Sequence, residues 1–301
     1  MDINFELYKI FYFTAKYKSF SEAASKLYIS QSAVSQAIKN LEKQIGGQLF
    51  YRKTRNIKLT SEGEVLFGHI EQAYNFIKAG ESKICEMKNM NLGKVRIGVG
   101  DTICKYFLIP FLRKFNKKYP NIKIQVVNRT SSQIISALLN GIIDVGIATI
   151  PVNNSNIDVK HFKYVEDIFI ASYKYIELYD KNIDISDLAQ YPLLMLERNT
   201  STRRFFDKFL DENDISLIPE IELESVELLV EFAKIGLGIS HVLKESAAQA
   251  ISNNEVFEVK TLQPMPKREL GIITIKDVPL SHSAKEFINM LCLHEGLAPL
   301  F

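Results

Sequence analysis

Residues 19–52 show a short pattern that is typical of two helices joined by a tight turn. We expect Ser21 to cap a short first helix and Ser30 to cap a second helix over residues 31–45. In the second segment, apolar residues recur at steps of four, three and four, which is the spacing of one buried helix face. These residues are Val34, Ile38, Leu41 and Ile45. The pattern therefore predicts a helix-turn-helix unit that packs around its own small core.

A second face of the predicted helix 31–45 carries serine, glutamine and lysine. Ser and Gln both donate and accept hydrogen bonds and can recognise base edges in a major groove, whereas Lys contacts phosphate. An ordinary solvated face more often carries Glu and Lys, and a helix pair by itself is more often only a packing unit. The side chains that we assign to DNA contact in this segment are Ser30, Gln31, Ser32, Ser35, Gln36 and Lys39.

Charge is distributed unevenly along the chain. Residues 1–60 hold 10 Lys or Arg and 4 Asp or Glu, a formal net charge of +6, and residues 61–301 hold 27 and 31, a net charge of −4. This asymmetry predicts a polyanion-binding module joined to a body of a different function. A basic segment just after the helix pair suits a wing that grips phosphate, although a solvated basic turn would have the same composition. The residues that we assign to this contact are Arg52, Lys53 and Arg55.

The order and spacing of these residues resemble the LysR-type bacterial transcription regulators. The matching positions are Ser19-Phe20, Ala23-Ala24, Leu27, Ser30-Gln31, Val34-Ser35, Ile38, Leu41-Glu42, Leu49-Phe50, Arg52, Arg55 and Leu59-Thr60-Ser61-Glu62-Gly63. The resemblance implies a winged helix-turn-helix domain, a linker helix that pairs two chains, and an effector domain. Full-length chains of the family often form tetramers as pairs of dimers. Gly47 departs from the family pattern, in which a side chain often packs under the wing.

Composition and cysteine usage favour a soluble chain with more than one domain. At 301 residues the chain can bury two or three cores, and its apolar runs are too short for a membrane helix. The N-terminus shows no signal segment, so we expect a cytoplasmic protein without membrane partners. The three Cys and five His have no metal-ligand spacing, and we assign no metal and no cofactor. Cys104 is expected near a helix N-terminus that would stabilise its thiolate, although an idle thiol is the alternative.

Residues 61–88 predict one long helix with a coiled-coil seam. Apolar or small residues recur at alternating steps of four and three. These positions are Leu66, Ile70, Ala73, Ile77, Gly80, Ile84 and Met87. A helix of this length is about 40 Å long and cannot bury such a stripe alone. We expect it to pair with its copy in a homodimer, and packing on its own effector domain is the alternative.

From Lys94 onward the pattern alternates strand, helix, strand, helix and strand with short connections, which predicts a parallel sheet. The run Leu139-x-Gly141-x-x-Asp144-Val145-Gly146-Ile147 resembles the effector domain of the same family, which implies a two-lobe α/β fold of the periplasmic-binding-protein type. The family's proline after Gly236-x-Gly238 is absent here, and His241 follows instead. The predicted domains are 1–60 (DNA-binding), 61–90 (linker) and 91–301 (effector-binding), with lobe I at about 91–162 and 267–301 and lobe II at about 163–266. The fold class is therefore multi-domain α/β.

Hydroxyl side chains lie where the predicted strands of both lobes lead into helices. Ligands of open α/β sheets bind beyond the carboxyl ends of the strands, where helix N-termini offer free N–H groups to an anion. The residues assigned to a small anionic effector are Thr102, Ser131, Ser132, Thr149, Thr200, Ser201 and Ser225. Ser and Thr also cap helices everywhere, which is the alternative. Candidate cations for the anion are Lys105, Arg129, Arg198 and Arg203, and a surface or packing role is the alternative for each.

Together these patterns predict a sequence-specific, DNA-binding transcriptional regulator that a small anionic metabolite modulates between two lobes. A solute-binding receptor without specific DNA recognition is the alternative, and it would have no use for residues 1–60. An enzyme is not expected, because the effector region lacks a Gly-rich phosphate loop with Lys, a nucleophile elbow and a metal motif. Asp144 and Glu227 are isolated carboxylates, which we interpret as a strand-end anchor and a helix-surface charge.

Overall fold

The computed structural model of the chain describes residues 3–51, 57–88 and 93–300. They form two compact units, Met1–Ile84 and Cys85–Phe301, and each unit is described by itself. Within the described ranges, no helix is both long enough and apolar enough to cross a membrane.

The described residues of the N-terminal unit form four helices. They are α1 (Phe5–Tyr17), α2 (Phe20–Leu27), α3 (Gln31–Ile45) and α4 (Ser61–Lys88). Ser30 caps α3 as predicted, because its Oγ accepts a hydrogen bond from the Ala33 amide at 3.1 Å. The predicted cap of α2 was wrong: Ser19 Oγ accepts from the Glu22 amide at 3.2 Å, and Ser21 lies inside the helix. Helix α1, which the sequence patterns above did not predict, completes the unit.

The first three helices enclose a small apolar core around the predicted stripe of α3. Its buried members are Ile10, Phe11, Ala15, Ala23, Ala24, Val34, Ile38, Leu41, Leu49 and Phe50. The turn between α2 and α3 places Tyr28 in the left-handed region with φ of 57°, where it is 95% exposed. Because bulky residues rarely adopt this conformation, the turn is strained at its most exposed side chain.

Helix α4 is continuous through Gly80, so the prediction of one long helix over residues 61–88 is confirmed. Its first turns belong to the N-terminal unit, since Leu66, Phe67 and Ile70 pack against the core. Tyr12 of α1 stacks on Tyr74 with 4.5 Å between ring centroids. The seam positions further along α4 stay open, with Ile77 43% and Ile84 57% exposed. One chain therefore buries only the beginning of the stripe.

The C-terminal unit contains two sheets, and the first has the order β2-β1-β3-β11-β4. Its first three strands are parallel as predicted, and β11 runs antiparallel to both of its neighbours. The elements of this lobe are β1 (Lys94–Val99), α5 (Asp101–Ile103), a π turn (Cys104–Leu108), α6 (Ile109–Lys118), β2 (Lys123–Asn128), α7 (Ser131–Leu139), β3 (Val145–Thr149), β4 (Ile157–Val165), β11 (Arg268–Ile275) and α11 (His282–His294).

The second sheet has the order β6-β10-β5-β9-β7-β8 and forms the other lobe. Its elements are β5 (Asp167–Ala171), two 3-10 helices (Tyr173–Leu178 and Ile185–Gln190), β6 (Asn182–Ile183), β7 (Leu193–Leu196), α8 (Ser201–Glu212), β8 (Ile221–Leu223), α9 (Val226–Lys234), β9 (Ile239–Leu243), α10 (Lys244–Ser252) and β10 (Phe257–Thr261). The chain crosses from the first sheet to the second at Glu166, between β4 and β5, and returns through residues 262–267. Asp167 and Arg268 are the first residues after the two crossings.

Candidate functional site

The exposed face of α3 carries the side chains that the sequence assigns to base recognition. Gln31, Ser32, Gln36 and Lys39 are exposed and Ser35 is half-buried, whereas Val34 and Ile38 on the other face are buried. Ser32 and Lys39 are seven residues apart, so this face extends about 10 Å along the helix axis, comparable to the width of a major groove.

Hydrogen bonds at the start of α3 order part of this surface. Ser30 Oγ lies 2.9 Å from Ser32 Oγ, and Ser21 Oγ donates to Gln31 Oε1 at 3.0 Å. Gln36 and Lys39 form no hydrogen bond or ion pair within the described residues. Their donors and acceptors are therefore available to a ligand that approaches this face.

The wing begins as an antiparallel bridge between Phe50 and Leu59. Glu42, near the end of α3, is buried, and its Oε1 accepts hydrogen bonds from the amides of Leu49 at 2.9 Å and Phe50 at 3.4 Å. A Cβ at Gly63 would lie 2.2 Å from the Leu49 carbonyl oxygen, so only glycine fits there. These contacts hold the base of the wing against α3. The predicted phosphate contacts Arg52, Lys53 and Arg55 lie outside the described residues.

In the C-terminal unit, all seven hydroxyl residues assigned to an effector line one cleft of about 760 Å³ between the two lobes. They are Thr102, Ser131, Ser132, Thr149, Thr200, Ser201 and Ser225. The N-terminal ends of α7, α8 and α9 meet at this cleft, one from the first lobe and two from the second. Free amide hydrogens at such ends attract an anion, and hydroxyls add orientable hydrogen bonds.

Two of the seven hydroxyls also act as helix caps. Thr200 Oγ1 accepts from the Arg203 amide at 3.2 Å, and Ser225 Oγ accepts from the Leu228 amide at 3.4 Å. Ser131 Oγ has a different contact, because it accepts from the Thr149 amide at 3.5 Å and so links α7 to the end of β3. Thr200 and Ser225 therefore both cap a helix and line the cleft, so the two interpretations are compatible for these residues.

The four candidate cations differ in their position relative to the cleft. Arg129 lines the cleft, is exposed, and donates from Nη1 to the Asn128 carbonyl at 2.8 Å. Lys105 pairs with Glu227 at 3.2 Å outside the cleft, and exposed Arg198 is not among the cleft residues. Arg203 has the packing role that was the alternative to anion binding, because its guanidinium is buried between α8 and the strands β7 and β8.

Arg203 is a structural arginine rather than an anion-binding one. It donates to Asp207 and Glu222 at 2.6 Å each and to the Leu196 carbonyl at 2.8 Å. With only 2% of its side chain exposed, it joins α8 to β7 and β8. Its partners occupy both sides of the guanidinium, so it has no role at the cleft surface.

The sequence patterns missed the buried ion pair of the cleft. Arg268 and Asp167 both line it, and each side chain is 4% exposed. Arg268 Nε and Nη2 each donate to one Asp167 carboxylate oxygen at 2.9 Å. Burial raises the pKa of Asp167, but the charge and hydrogen bonds of Arg268 outweigh it and hold that pKa below its ordinary value. The available signal was a charged first residue in each of two largely apolar strands, β5 and β11.

The remaining carboxylate and thiol predictions have mixed outcomes. Asp144 anchors a strand end as predicted, since its oxygens accept from the Arg96 guanidinium at 2.6 and 3.1 Å. Cys104 fits the alternative of an idle thiol, because burial, with a smaller effect of the Asp101 charge, raises the pKa of its thiol. Cys104 does lie at the start of a helical segment, but the low-dielectric surroundings dominate.

Comparison with known proteins identifies both units. Residues 5–64 match the family described as "Bacterial regulatory helix-turn-helix protein, lysR family", and residues 88–292 match "LysR substrate binding domain". The chain is 29% identical over 290 residues to the "HTH-type transcriptional activator CmpR" of Synechocystis sp., covering 96% of this chain and 94% of the relative. It is 31% identical to a "Probable RuBisCO transcriptional regulator" of Cyanidium caldarium, covering 85% and 83%.

Solved structures show the same fold. CbnR, a LysR family transcriptional regulator, superposes with a TM-score of 0.68 at 16% identity over 97% of this chain and 99% of CbnR. A full-length OxyR from Pseudomonas aeruginosa superposes with a TM-score of 0.71 at 19% identity, over 99% and 96% of the two chains. The family matches cover both units of the chain. It therefore belongs to the LysR family, as a DNA-binding transcriptional regulator with a C-terminal effector-binding domain.

Proposed function

We propose that this regulator recognises specific DNA sites through the exposed face of α3 and grips phosphate with its wing. A small anionic metabolite in the cleft between the lobes then modulates how it binds. One observation carries the effector half of this proposal. Seven hydroxyl residues from separate turns of both lobes line a single cleft into which three helix N-termini open.

Base recognition is assigned to the side chains on the outer face of α3. Gln36 can donate and accept at once, so it suits a bidentate contact with adenine, and Ser32 and Ser35 suit single contacts. Lys39 and the wing residues Arg52, Lys53 and Arg55 contribute phosphate contacts that position the helix and carry no sequence information.

The effector acts by favouring one arrangement of the lobes. A ligand that contacts both lobes favours the arrangement in which both sets of contacts form, and it can shift that equilibrium only by its difference in affinity. Such coupling is typically worth about 1–3 kcal/mol. In an oligomer, the altered packing of the effector domains changes the spacing of the DNA-binding domains and so the DNA bend.

A homodimer through α4 completes the proposal. Ile77 and Ile84 are exposed seam residues on a helix whose first turns alone are buried by its own domain. A second copy of the helix would cover them, as in a coiled coil. Two DNA-binding domains would then contact a pseudo-palindromic site, and a pair of such dimers would give a tetramer. The functional domains are 1–60, 61–90 and 91–301, and the protein acts in the cytoplasm without catalysing a reaction.

The DNA half is tested by comparing two single variants on a specific site and on random DNA. Gln36→Ala should narrow the difference in affinity between the two DNAs, because it removes a base contact. Arg52→Ala should weaken binding to both DNAs equally and lower the slope of log K against log salt by about 1. Gln44→Ala and Lys78→Ala, which remove another glutamine and another surface cation, should change neither quantity. Equal loss of specificity in both test variants would contradict the assigned roles.

The specific site itself is found by incubating the full-length protein with sheared genomic DNA at about 0.15 M salt. Enrichment of a few upstream, pseudo-palindromic regions is expected. Uniform retention, or none, would favour the solute-receptor alternative.

A further inference from the structure

The two chain crossings between the lobes are joined by one buried ion pair. Asp167 begins β5 directly after the first crossing, and Arg268 begins β11 directly after the second. The pair links positions 101 residues apart in the chain, and both side chains also line the effector cleft. A ligand in this cleft can therefore contact the same two side chains that link the crossings.

Asp167 occupies only one edge of the Arg268 guanidinium. A guanidinium has two edges that can each hold an oxyanion with two parallel hydrogen bonds. The edge formed by Nε and Nη2 is filled by the two Asp167 oxygens at 2.9 Å. The other edge, formed by Nη1 and Nη2, has one long contact within the described residues, from Nη1 to Thr149 Oγ1 at 3.4 Å. It thus keeps donors for a second acceptor.

The groups around this second edge belong to the effector cleft. Thr149, which contacts Arg268, is also held by Ser131 at the start of α7 through a 3.5 Å hydrogen bond. Both contacts lie near the upper limit for hydrogen bonds, so a ligand oxygen between these groups would replace weak contacts with stronger ones. Arg129, by contrast, is exposed on one lobe and far more screened by solvent.

We propose that Arg268 binds the acid group of the effector through its Nη1–Nη2 edge, so that the ligand acts on the ion pair joining the two crossings. This inference rests on the proposed function, because it concerns the same cleft. The recognised chemistry is a carboxylate, sulfate or phosphate oxyanion. The bound ligand contacts Arg268, Thr149 and Ser131 of the first lobe, and Asp167 links this cluster to the second lobe.

The test uses full-length protein and three probes: inorganic phosphate, sulfate and acetate. Affinities are measured by isothermal titration calorimetry. The variant Asp167→Asn/Arg268→Gln removes both charges and keeps hydrogen-bonding groups, so no buried charge is left without a partner. At least one probe should bind the wild type, and the double variant should bind it roughly 10- to 100-fold more weakly.

The matched control is Arg203→Gln/Glu222→Gln, which alters another buried arginine pair that does not line the cleft. Its probe affinity should equal that of the wild type. Arg268→Lys serves as a second variant. It keeps the positive charge but cannot donate two parallel hydrogen bonds to one oxyanion, so it should also weaken probe binding. Unchanged affinity in the Arg268 variants, or no probe bound by the wild type, would overturn the proposal.

The failure of this inference can be distinguished from failure of the proposed function. Footprints on specific DNA are recorded for both proteins without and with the probe, and each protein is compared with itself. With the probe, only the wild-type footprint should change. A regulator whose footprint responds equally in both proteins would keep its proposed function and lose the role assigned to Arg268.

Discussion

His241 should make the effector-binding unit acid-sensitive. The imidazole lies in the core of the second lobe, stacked on Phe206 with 4.0 Å between ring centroids, and its Nε2 has no hydrogen-bond partner among the described residues. Burial lowers its pKa from 6.5 to about 4. Asp167 opposes this effect, whereas the positive charges of Arg268 and Arg203 add to it. The folded protein therefore keeps His241 neutral where an unfolded chain would protonate it.

The size and sign of the effect follow from proton linkage. Between pH 6.5 and about 4, the unfolded chain binds a proton that the folded chain does not, so the free energy of unfolding falls as the pH falls. The full loss is about 3 kcal/mol, of which about 2 kcal/mol is reached at pH 5. Asp167, whose pKa is lowered from 3.8, contributes stability that is lost only at still lower pH. The pH range in which His241 lowers stability is therefore separate from the range in which Asp167 does.

The experiment compares urea unfolding of the wild type and of His241→Phe at pH 7 and pH 5, followed by far-UV circular dichroism. Phe keeps an aromatic ring against Phe206 and cannot take up a proton. The wild type should lose about 2 kcal/mol more than the variant between the two pH values. His282→Gln, a change on the exposed start of α11, should behave as the wild type does. If wild type and His241→Phe lost stability in parallel, the imidazole would not be held neutral by the fold.

Three further substitutions test other contacts by thermal or urea unfolding. Glu42→Ala should destabilise the DNA-binding unit by about 1–3 kcal/mol, because it leaves two buried wing amides without their acceptor; an unchanged midpoint would contradict this. Gly238→Ala should cost about 1–3 kcal/mol, since its Cβ would lie 2.4 Å from the Pro192 carbonyl oxygen, and a neutral result would mean that the backbone there yields easily. Tyr28→Asn should stabilise the DNA-binding unit by roughly 1 kcal/mol, because Asn tolerates the left-handed conformation. A lower unfolding midpoint than that of the wild type would refute strain at this turn.

Local rules predicted the elements whose ends carry their own signals. Helices α3, α8 and α9 begin next to Ser30, Thr200 and Ser225, whose hydroxyls cap them, and their apolar residues recur with helical spacing. Strand β4 was missed because it mixes exposed charged residues with a few buried ones at the edge of its sheet. The alternation of strands and helices did not predict the π turn at Cys104–Leu108, which interrupts the helical segment after β1.

In the cleft, the hydroxyl residues could be predicted from local signals and the buried ion pair could not. Its hydroxyls could be predicted, because strand ends in one sheet converge on one edge whatever the detailed packing. The pair of Asp167 and Arg268 could not, since its members are 101 residues apart and buried charges are exceptional in strands. Only the folded arrangement shows that each charge has its partner.

Helix α4 projects from the DNA-binding domain on which its first turns are packed. Because Phe67 and Tyr74 are stacked against Tyr12 of α1, the first turns of α4 pack on the same core that holds α3. The helix then runs ten residues further to Ile84, about 15 Å beyond the last of these stacked rings. In the proposed homodimer, a change in the angle between the two paired α4 helices would therefore change the angle between the two DNA-binding domains.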